Sequence, residues 1–295
     1  MNIVGIKGRL HLKSNMIGQM KKDLLLFDKV GIIDLNLDKP MGEIEPLGNA
    51  FDFESSVAFF KSLKQEEYLF EVSPNKLLVE LDKIDRNPFM PELIKIDEML
   101  IHLKENGGSA LAFIESKAIA FSIVMNILYS QNNIQYVPLV EKIRFPKMPN
   151  SVKTDVINLV IENMPVVDDL TPWANITDFK NNEDNKGKFA GLSMWMNKTA
   201  NSGASMSEIK DELEYLLYQY RKSLELHKIK YHSGTLQRIV VGTAELIENA
   251  ARLKFSNIAK GLFSVHQEKV ELMQAELTAP GKEIAYIYHA QKTFG

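Results

Sequence analysis

The sequence contains no cysteine among its 295 residues. Disulfide bonds, thiolate zinc sites, iron–sulfur clusters and cysteine nucleophiles are therefore excluded, because each of them needs a thiol. Tryptophan is almost as scarce, with two residues in the chain. The fold has to be stabilised mainly by a hydrophobic core, and the 45% of hydrophobic residues is ordinary for a globular protein.

The sequence also lacks a hydrophobic run long enough to cross a membrane. Its most apolar stretch, residues 110–129, contains Glu115 and Lys117, whereas a membrane-spanning helix needs about 20 predominantly apolar residues. The apolar run at residues 1–6 is too short for the core of a signal peptide. These features predict a soluble, cytoplasmic protein without a membrane span.

No strong excess of one charge is present, since the formal net charge is −3 at pH 7. This balance argues against a polyanion-binding surface over the whole molecule, although a local basic patch is compatible with it. A solvated helix face is the simpler interpretation of the basic residues near the N-terminus. They nevertheless make nucleic acid a candidate partner, through Lys7, Arg9, Lys13, Lys21 and Lys22.

The first half alternates short apolar runs with amphipathic patterns, which favours an open, partly parallel α/β sheet with helices. Apolar runs of strand length predict β-strands at residues 3–6, 29–34, 68–72, 135–139 and 154–162. Periodic apolar positions predict helices at residues 16–27, 53–63, 75–84, 92–104 and 110–130.

The stretch Pro165–Trp173 marks a change of character, because only helical patterns follow it. Thr171 before Pro172 is typical of a helix N-cap with proline at the first helical position. The ring of Trp173, if buried, is large enough to hold the two parts of the chain together. We expect the change from α/β to all-helical structure to lie between Glu162 and Pro172.

The patterns predict an α/β domain over residues 1–165 and an all-α helical domain over residues 166–295. The best-defined helix follows Ser205, which forms a capping box with Glu208. Its apolar stripe needs a partner, either a helix that begins near Leu236 or a second chain. The stripe consists of Ile209, Leu213, Leu216, Leu217, Tyr220 and Leu224. Breaks are predicted at residues 181–187, 201–204 and 233–234, and a last helix after residues 278–281.

One short motif allows a catalytic interpretation. Glu115 and Lys117 have the E-x-K spacing of restriction-type nucleases, where carboxylates hold Mg²⁺ and the lysine orients the attacking water. Asp97 is the upstream acid that would complete the site. Against this interpretation, Asp97 and residues 110–130 lie in helical patterns, and E-x-K is common by chance. We expect residues 110–130 to be helical and Glu115 to be structural.

A resemblance to other sequences is carried mainly by the second half, in the segments DVINLVIENMPVVDDLTPW, ITDFKNN, EIKDELEYLLYQY, LHKIKY, TAELIEN, IAKGLFS and ELTAPGKEIAYI. In the first half it is limited to a looser match around LLLFDKVGI. These segments resemble an uncharacterised bacterial protein family, a domain of unknown function, matched mainly over residues 155–295. The resemblance implies a bacterial cytoplasmic protein with one continuous α/β-plus-helical unit, and it implies no activity or site residue.

The amphipathic helices of the second half are suited to docking partners. We therefore predict a non-catalytic bacterial binding or assembly protein, without cofactor or metal, that forms a homo-oligomer or binds a protein partner through its C-terminal helices. One alternative is a metal-dependent nuclease that uses Asp97, Glu115 and Lys117. A weaker alternative is a membrane-active effector, because residues 236–265 are moderately apolar and rich in small side chains.

Overall fold

The computed structural model describes residues 2–9, 16–35, 37, 53–140, 152–225, 276 and 278–295. The strands of its sheet are β1 (Asn2–Lys7), β2 (Lys29–Ile33), β3 (Leu69–Val72) and β4 (Ile134–Pro138). The described helices are α1 (Met16–Leu26), α2 (Phe53–Gln65), α3 (Pro74–Leu81), α4 (Met90–Glu105), α5 (Ala110–Leu128), α6 (Val152–Asn163), α7 (Trp173–Asn181), α8 (Glu183–Ala200), α9 (206–225) and α10 (Ala285–Phe294). The predicted class, an α/β part followed by helices, is confirmed.

The sheet is parallel throughout, with strand order β3-β2-β1-β4. Successive residues of a strand face opposite sides, so the sheet has two buried faces. Ile3 and Val137 enter one hydrophobic core, whereas Val4 and Tyr136 enter the other. Helices cover both faces, as parallel sheets require.

The two cores contain different helices. The core on the Val4 side contains residues of α3, α4 and α5. The core on the Ile3 side contains residues of α1, α2 and all described helices from α6 to α10. The helical second half therefore packs on one face of the sheet, and the proposed domain boundary at residue 165 stays a prediction.

The helix α1 lies between the sheet and the stretch that leads into α7. Nζ of Lys21 donates to the carbonyl oxygens of Asp169 and Thr171, at 2.6 Å each. Gly18 donates its N–H to Oδ1 of Asp169, and a Cβ at Gly18 would lie 2.0 Å from the carbonyl oxygen of Val167. Burial lowers the pKa of Lys21, against the attraction of the neighbouring carboxylates. Backbone and side-chain bonds thus attach this stretch directly to α1.

The carboxyl end of α1 is capped by residues of the helical half. Its last carbonyl groups lie among buried residues, where water does not satisfy them. Nζ of Lys180 donates to the oxygens of Leu24 at 2.8 Å and Phe27 at 2.6 Å, and the hydroxyl of Tyr286 donates to the oxygen of Leu25 at 2.7 Å. Burial lowers the pKa of Lys180 to about 8 and raises the pKa of Tyr286.

The strand β4 is an edge strand whose open side is blocked by a side chain of α5. Nδ2 of Asn126 donates to the carbonyl oxygen of Tyr136 at 2.8 Å, and its Oδ1 accepts from the Tyr136 N–H at 2.9 Å. These two bonds replace those that a further strand would make. Pro138, two residues along the same edge, has no N–H to donate. Asn126 and Pro138 thus prevent strand pairing at two positions of this edge.

Replacing Asn126 by aspartate should lower the free energy of unfolding by about 1–3 kcal/mol, because a carboxylate can accept from the Tyr136 N–H but cannot donate to its carbonyl. The control is Asn132→Asp, since Asn132 is exposed and its side chain makes no hydrogen bond within the described residues. That substitution should change the stability by no more than about 0.5 kcal/mol. Urea denaturation measures both variants, and equal midpoints would contradict a stabilising role for the Asn126 amide.

The prediction of a strand at residues 154–162 is wrong, because these residues belong to the helix α6 (Val152–Asn163). The β-branched residues favoured a strand, but the buried positions follow the period of a helix. They are Thr154, Val156, Ile157, Leu159 and Val160. Since β4 is the last described strand, the change to helical structure comes before α6 and not between Glu162 and Pro172.

Trp173 contacts the α/β part of the molecule, as its position in the sequence predicted. Its ring lies edge-on to Tyr68 at a centroid distance of 5.0 Å, and its Nε1 donates to Oε2 of Glu66 at 3.2 Å. The predicted cap is wrong by one residue. Pro172, with φ −56° and ψ 138°, occupies the N-cap position, and Thr171 precedes it.

The polar loop predicted at residues 181–187 is instead a junction between two helices. α7 ends at Asn181 and α8 begins at Glu183. The side chain of Asn182 caps α8 by accepting from the N–H groups of Asp184 at 3.0 Å and Asn185 at 3.2 Å. A run of polar residues is typical of a loop, but these residue types are also the ones that a helix N-terminus prefers.

The capping box at the start of α9 is confirmed. Ser205 donates its N–H to Oε2 of Glu208 at 2.8 Å, and Glu208 donates its N–H to Oγ of Ser205 at 3.3 Å. Hydrogen bonds from the backbone and side chain of Ser205 hold the pKa of Glu208 below its ordinary value. The buried members of the apolar stripe join the core on the Ile3 side: Ile209, Leu213, Leu217, Tyr220 and Leu224.

The apolar stripe of α9 has partners within the chain. Gly281, at φ +78°, lies so close to α9 that a Cβ would be 2.3 Å from the carbonyl oxygen of Leu216. The ring of Tyr220 lies edge-on to Tyr288 of α10 at 5.3 Å. The predicted partner helix near Leu236 and the break at residues 233–234 lie outside the described residues.

Candidate functional site

The structure places the nuclease candidates on two helices. Residues 110–128 are helical, as predicted, and Glu115 is buried in α5. Lys117 is exposed, because two residues along a helix correspond to a rotation of about 200°. Asp97 is exposed on α4. Within the described ranges there is no group of three or more acidic or histidine side chains arranged to hold a metal ion.

The basic residues near the N-terminus do not form one exposed patch. Lys21 and Lys22 are buried in α1, and Nζ of Lys7 pairs with Oδ2 of the buried Asp23 at 2.6 Å. Arg9 is exposed, whereas Lys13 lies outside the described residues. The sequence pattern predicts a basic surface, but Lys21 and Lys22 lie inside the packing between the sheet and the helical half.

A cavity of about 750 Å³ lies between α8, α9 and the segment that leads into α10. We call it the C-terminal cavity. Its apolar wall includes Trp195, Leu216, Tyr220 and Ala285, and Met194 lies at its exposed side. The volume falls within the range of about 300–1,000 Å³ that is typical of small-molecule sites.

Two glycines keep the C-terminal cavity open. Gly187 and Gly191 lie one helical turn apart on the face of α8 that lines it. A Cβ at Gly187 would have no heavy atom within 4 Å, and one at Gly191 would lie 3.7 Å from the carbonyl oxygen of Glu283. Since glycine disfavours a helix relative to alanine by about 1 kcal/mol, this empty space is obtained at a cost in helix stability.

A cluster of charged side chains lies at the wall of the cavity, and we call it the Lys188 cluster. Lys188 is largely buried and pairs with Asp184 of the same helix and, at 3.2 Å, with Oε2 of Glu276. The other carboxylate oxygen of Glu276 lies 3.5 Å from Nε2 of His289. Burial by itself would raise the pKa of Glu276, but the hydrogen bonds and charges of His289 and Lys188 outweigh burial and lower it. Glu276 is therefore ionised at neutral pH.

The aromatic groups of the wall have their polar atoms satisfied. Nε1 of Trp195 donates to Oε1 of Glu212 at 3.3 Å. The hydroxyl of Tyr220 lies 3.4 Å from Nε2 of His289. Burial, reinforced by the charge of Glu276, raises the pKa of Tyr220, so the phenol is neutral at physiological pH. Tyr220 is fully buried, and Trp195 keeps about 5% of its surface accessible.

Sequence reasoning missed the C-terminal cavity. Its residues come from α8, α9 and the C-terminal segment, and no short motif joins them. Gly187 falls in the break predicted at residues 181–187, and Gly191 falls in the helical pattern after it, so the sequence does not show the two glycines as one face of a helix.

The fold and the cavity define a parallel α/β protein with a helical second half that contains a small-molecule-sized site. Comparisons with protein-family models, with curated proteins and with solved structures found no match. The resemblance to an uncharacterised bacterial family therefore stays a prediction. No helix in the described part of the chain combines the length and apolarity that a membrane crossing requires.

Proposed function

We propose that this protein is a non-catalytic binding protein that holds a small amphipathic molecule in the C-terminal cavity. The observation that carries the proposal is a cavity of about 750 Å³ with an apolar wall and a few polar groups at its side. Sites of this size and composition bury most of the surface of a small ligand. A bacterial origin and a cytoplasmic location are part of the same proposal.

The arrangement of charges supports binding. The ammonium group of Lys188 is compensated by Asp184 and Glu276, and these ion pairs hold it in place at the wall. The apolar wall supplies most of the free energy of binding, because transfer of apolar surface out of water contributes about 25 cal/mol per Å². The polar groups then fix the orientation of the ligand.

Assembly through the C-terminal helices is a second candidate function. Tyr215 and Tyr218 lie on the outer side of α9 and are each 60% exposed. Tyrosine is enriched at protein–protein interfaces, where its ring contributes contact area and its hydroxyl hydrogen-bonds. This surface supports a protein partner or a homo-oligomer.

The proposed function is tested by filling the cavity from α8. Wild-type protein should bind the neutral dye N-phenyl-1-naphthylamine, and Gly187→Leu should weaken binding at least tenfold, because the new side chain occupies open space. Gly187→Ala is the matched control, since a methyl group leaves most of the volume free. Fluorescence titration measures binding, and thermal melting checks that each variant is folded. Equal binding by folded Gly187→Leu and wild type, or no binding by wild type, would contradict the proposal.

A further inference from the structure

The wall of the C-terminal cavity carries more carboxylates than ammonium groups. Its acidic residues are Glu183, Asp184, Glu212, Glu276 and Glu283, and its basic residues are Lys188, Lys198 and Lys282. In the Lys188 cluster, one ammonium group faces two carboxylates, so this cluster has a net charge of −1 when His289 is neutral.

Three acidic residues of the wall lie outside the cluster. Glu212 accepts a hydrogen bond from the indole of Trp195 and has no ion-pair partner among the described residues. Glu283 likewise has no ion-pair partner in the described part of the chain, and it is exposed. Glu183 differs from both because it pairs with Lys186 at 2.7 Å. Because Glu183 is paired with Lys186, the wall keeps four carboxylates against three ammonium groups, so its net charge is −1 when His289 is neutral. These carboxylates lie on α9 and the C-terminal segment as well as in the Lys188 cluster.

Aromatic rings lie on the same wall as these carboxylates. Trp195 is buried except for about 5% of its surface, and Tyr220 is fully buried, so each ring is fixed by its packing. Since little of either ring is accessible, the carboxylates of the wall and not the ring faces decide the charge of the ligand. Carboxylates beside an apolar wall favour a positively charged organic group with an apolar body.

We propose that the ligand of the C-terminal cavity is an organic cation, an amine or quaternary ammonium group attached to an apolar chain or ring. This inference depends on the proposed function, because it identifies the chemical class of the ligand that the cavity binds. The apolar body lies against Trp195 and Leu216 and over the glycine face of α8. The cationic group supplies the positive charge that the carboxylates of the wall lack.

The test compares n-octylamine, octanol and octanoate, which share one alkyl chain and differ in charge at neutral pH. Displacement of the neutral dye N-phenyl-1-naphthylamine from wild-type protein should be tightest for octylamine, about tenfold weaker for octanol and weaker again for octanoate. The double variant Glu212→Gln/Glu283→Gln should lose about tenfold in octylamine affinity and leave octanol affinity unchanged. Glutamine keeps the acceptor for the indole N–H, so the fold is preserved.

Two controls separate the charge of the cavity from the charge of the molecule. Asp211→Asn removes an exposed carboxylate next to Glu212 that does not line the cavity, and it should leave all affinities unchanged. Lys198→Met removes a positive charge from the wall and should tighten octylamine binding. If the three probes displace the dye equally, or octanoate does so best, the inference is wrong while the proposed function stands. If no dye binds at all, the proposed function is wrong as well.

Discussion

Gly18→Ala should lower the free energy of unfolding by about 3 kcal/mol, or prevent folding, although alanine is the better helix former. Gly18 lies within α1, and a Cβ at this position would be 2.0 Å from the carbonyl oxygen of Val167. Backbone atoms cannot move away as the end of a flexible side chain can. The stretch before α7 would have to leave α1, and Lys21 would then lose its carbonyl acceptors at Asp169 and Thr171.

The control for Gly18 is Gly187→Ala, which makes the same change inside another helix. A Cβ at Gly187 has no heavy atom within 4 Å, so only the gain in helix propensity remains, and stability should rise by about 0.5–1 kcal/mol. Urea denaturation followed by circular dichroism measures both variants. A gain in stability for Gly18→Ala, like that expected for Gly187→Ala, would mean that α1 does not pack against Val167 as described.

Leu217→Asp should prevent folding, and Leu217→Ala should destabilise the protein by about 2–5 kcal/mol. Leu217 lies in the middle of the buried stripe of α9 and is 7% exposed. The structure supplies partners within the chain, since the stripe shares a core with Trp195 of α8 and Ile287 of α10. An aspartate at this position would place a charge in the buried stripe of α9.

Tyr218→Asp is the control for Leu217, because Tyr218 is the next residue and is 60% exposed. The same charge on the solvent face of α9 should change stability by no more than about 0.5 kcal/mol. Thermal melting with light scattering distinguishes the outcomes. If Leu217→Asp gives a folded protein of smaller mass, the stripe is an interface between subunits instead of part of the core.

The sequence predicted most helices and strands because burial in them follows local periodicity. The runs at residues 3–6 and 29–34 became adjacent parallel strands, and the stripe of α9 became its buried face. The capping box of Ser205 and Glu208 was equally accessible, since both partners lie within one helical turn. Such features depend on neighbours in the chain and can be inferred without knowing the fold.

Prediction was wrong where two local signals disagreed. In residues 154–162, the β-branched composition favoured a strand while the spacing of Val156, Ile157 and Val160 fitted a helix. Packing of α6 against α1 and α8 stabilises the helix, because these two neighbours cover its apolar face. The E-x-K motif shows the same limit, since its meaning depends on whether Glu115 and Lys117 lie on a strand or on a helix such as α5.

By itself, then, the sequence determined the four described strands, the described helices except α6, the capping box and the contact of Trp173 with the α/β part. Only the tertiary structure shows that Lys180 and Tyr286 cap α1. It also shows that the backbone at Val167 leaves no room for a side chain at Gly18. The contact of Glu276 with both Lys188 and His289 likewise depends on the fold. The physical reason is that each of these arrangements joins residues far apart in the chain. A cavity, in particular, exists only where packed helices leave space. The glycines of α8 line a cavity only because α9 and the C-terminal segment lie opposite them.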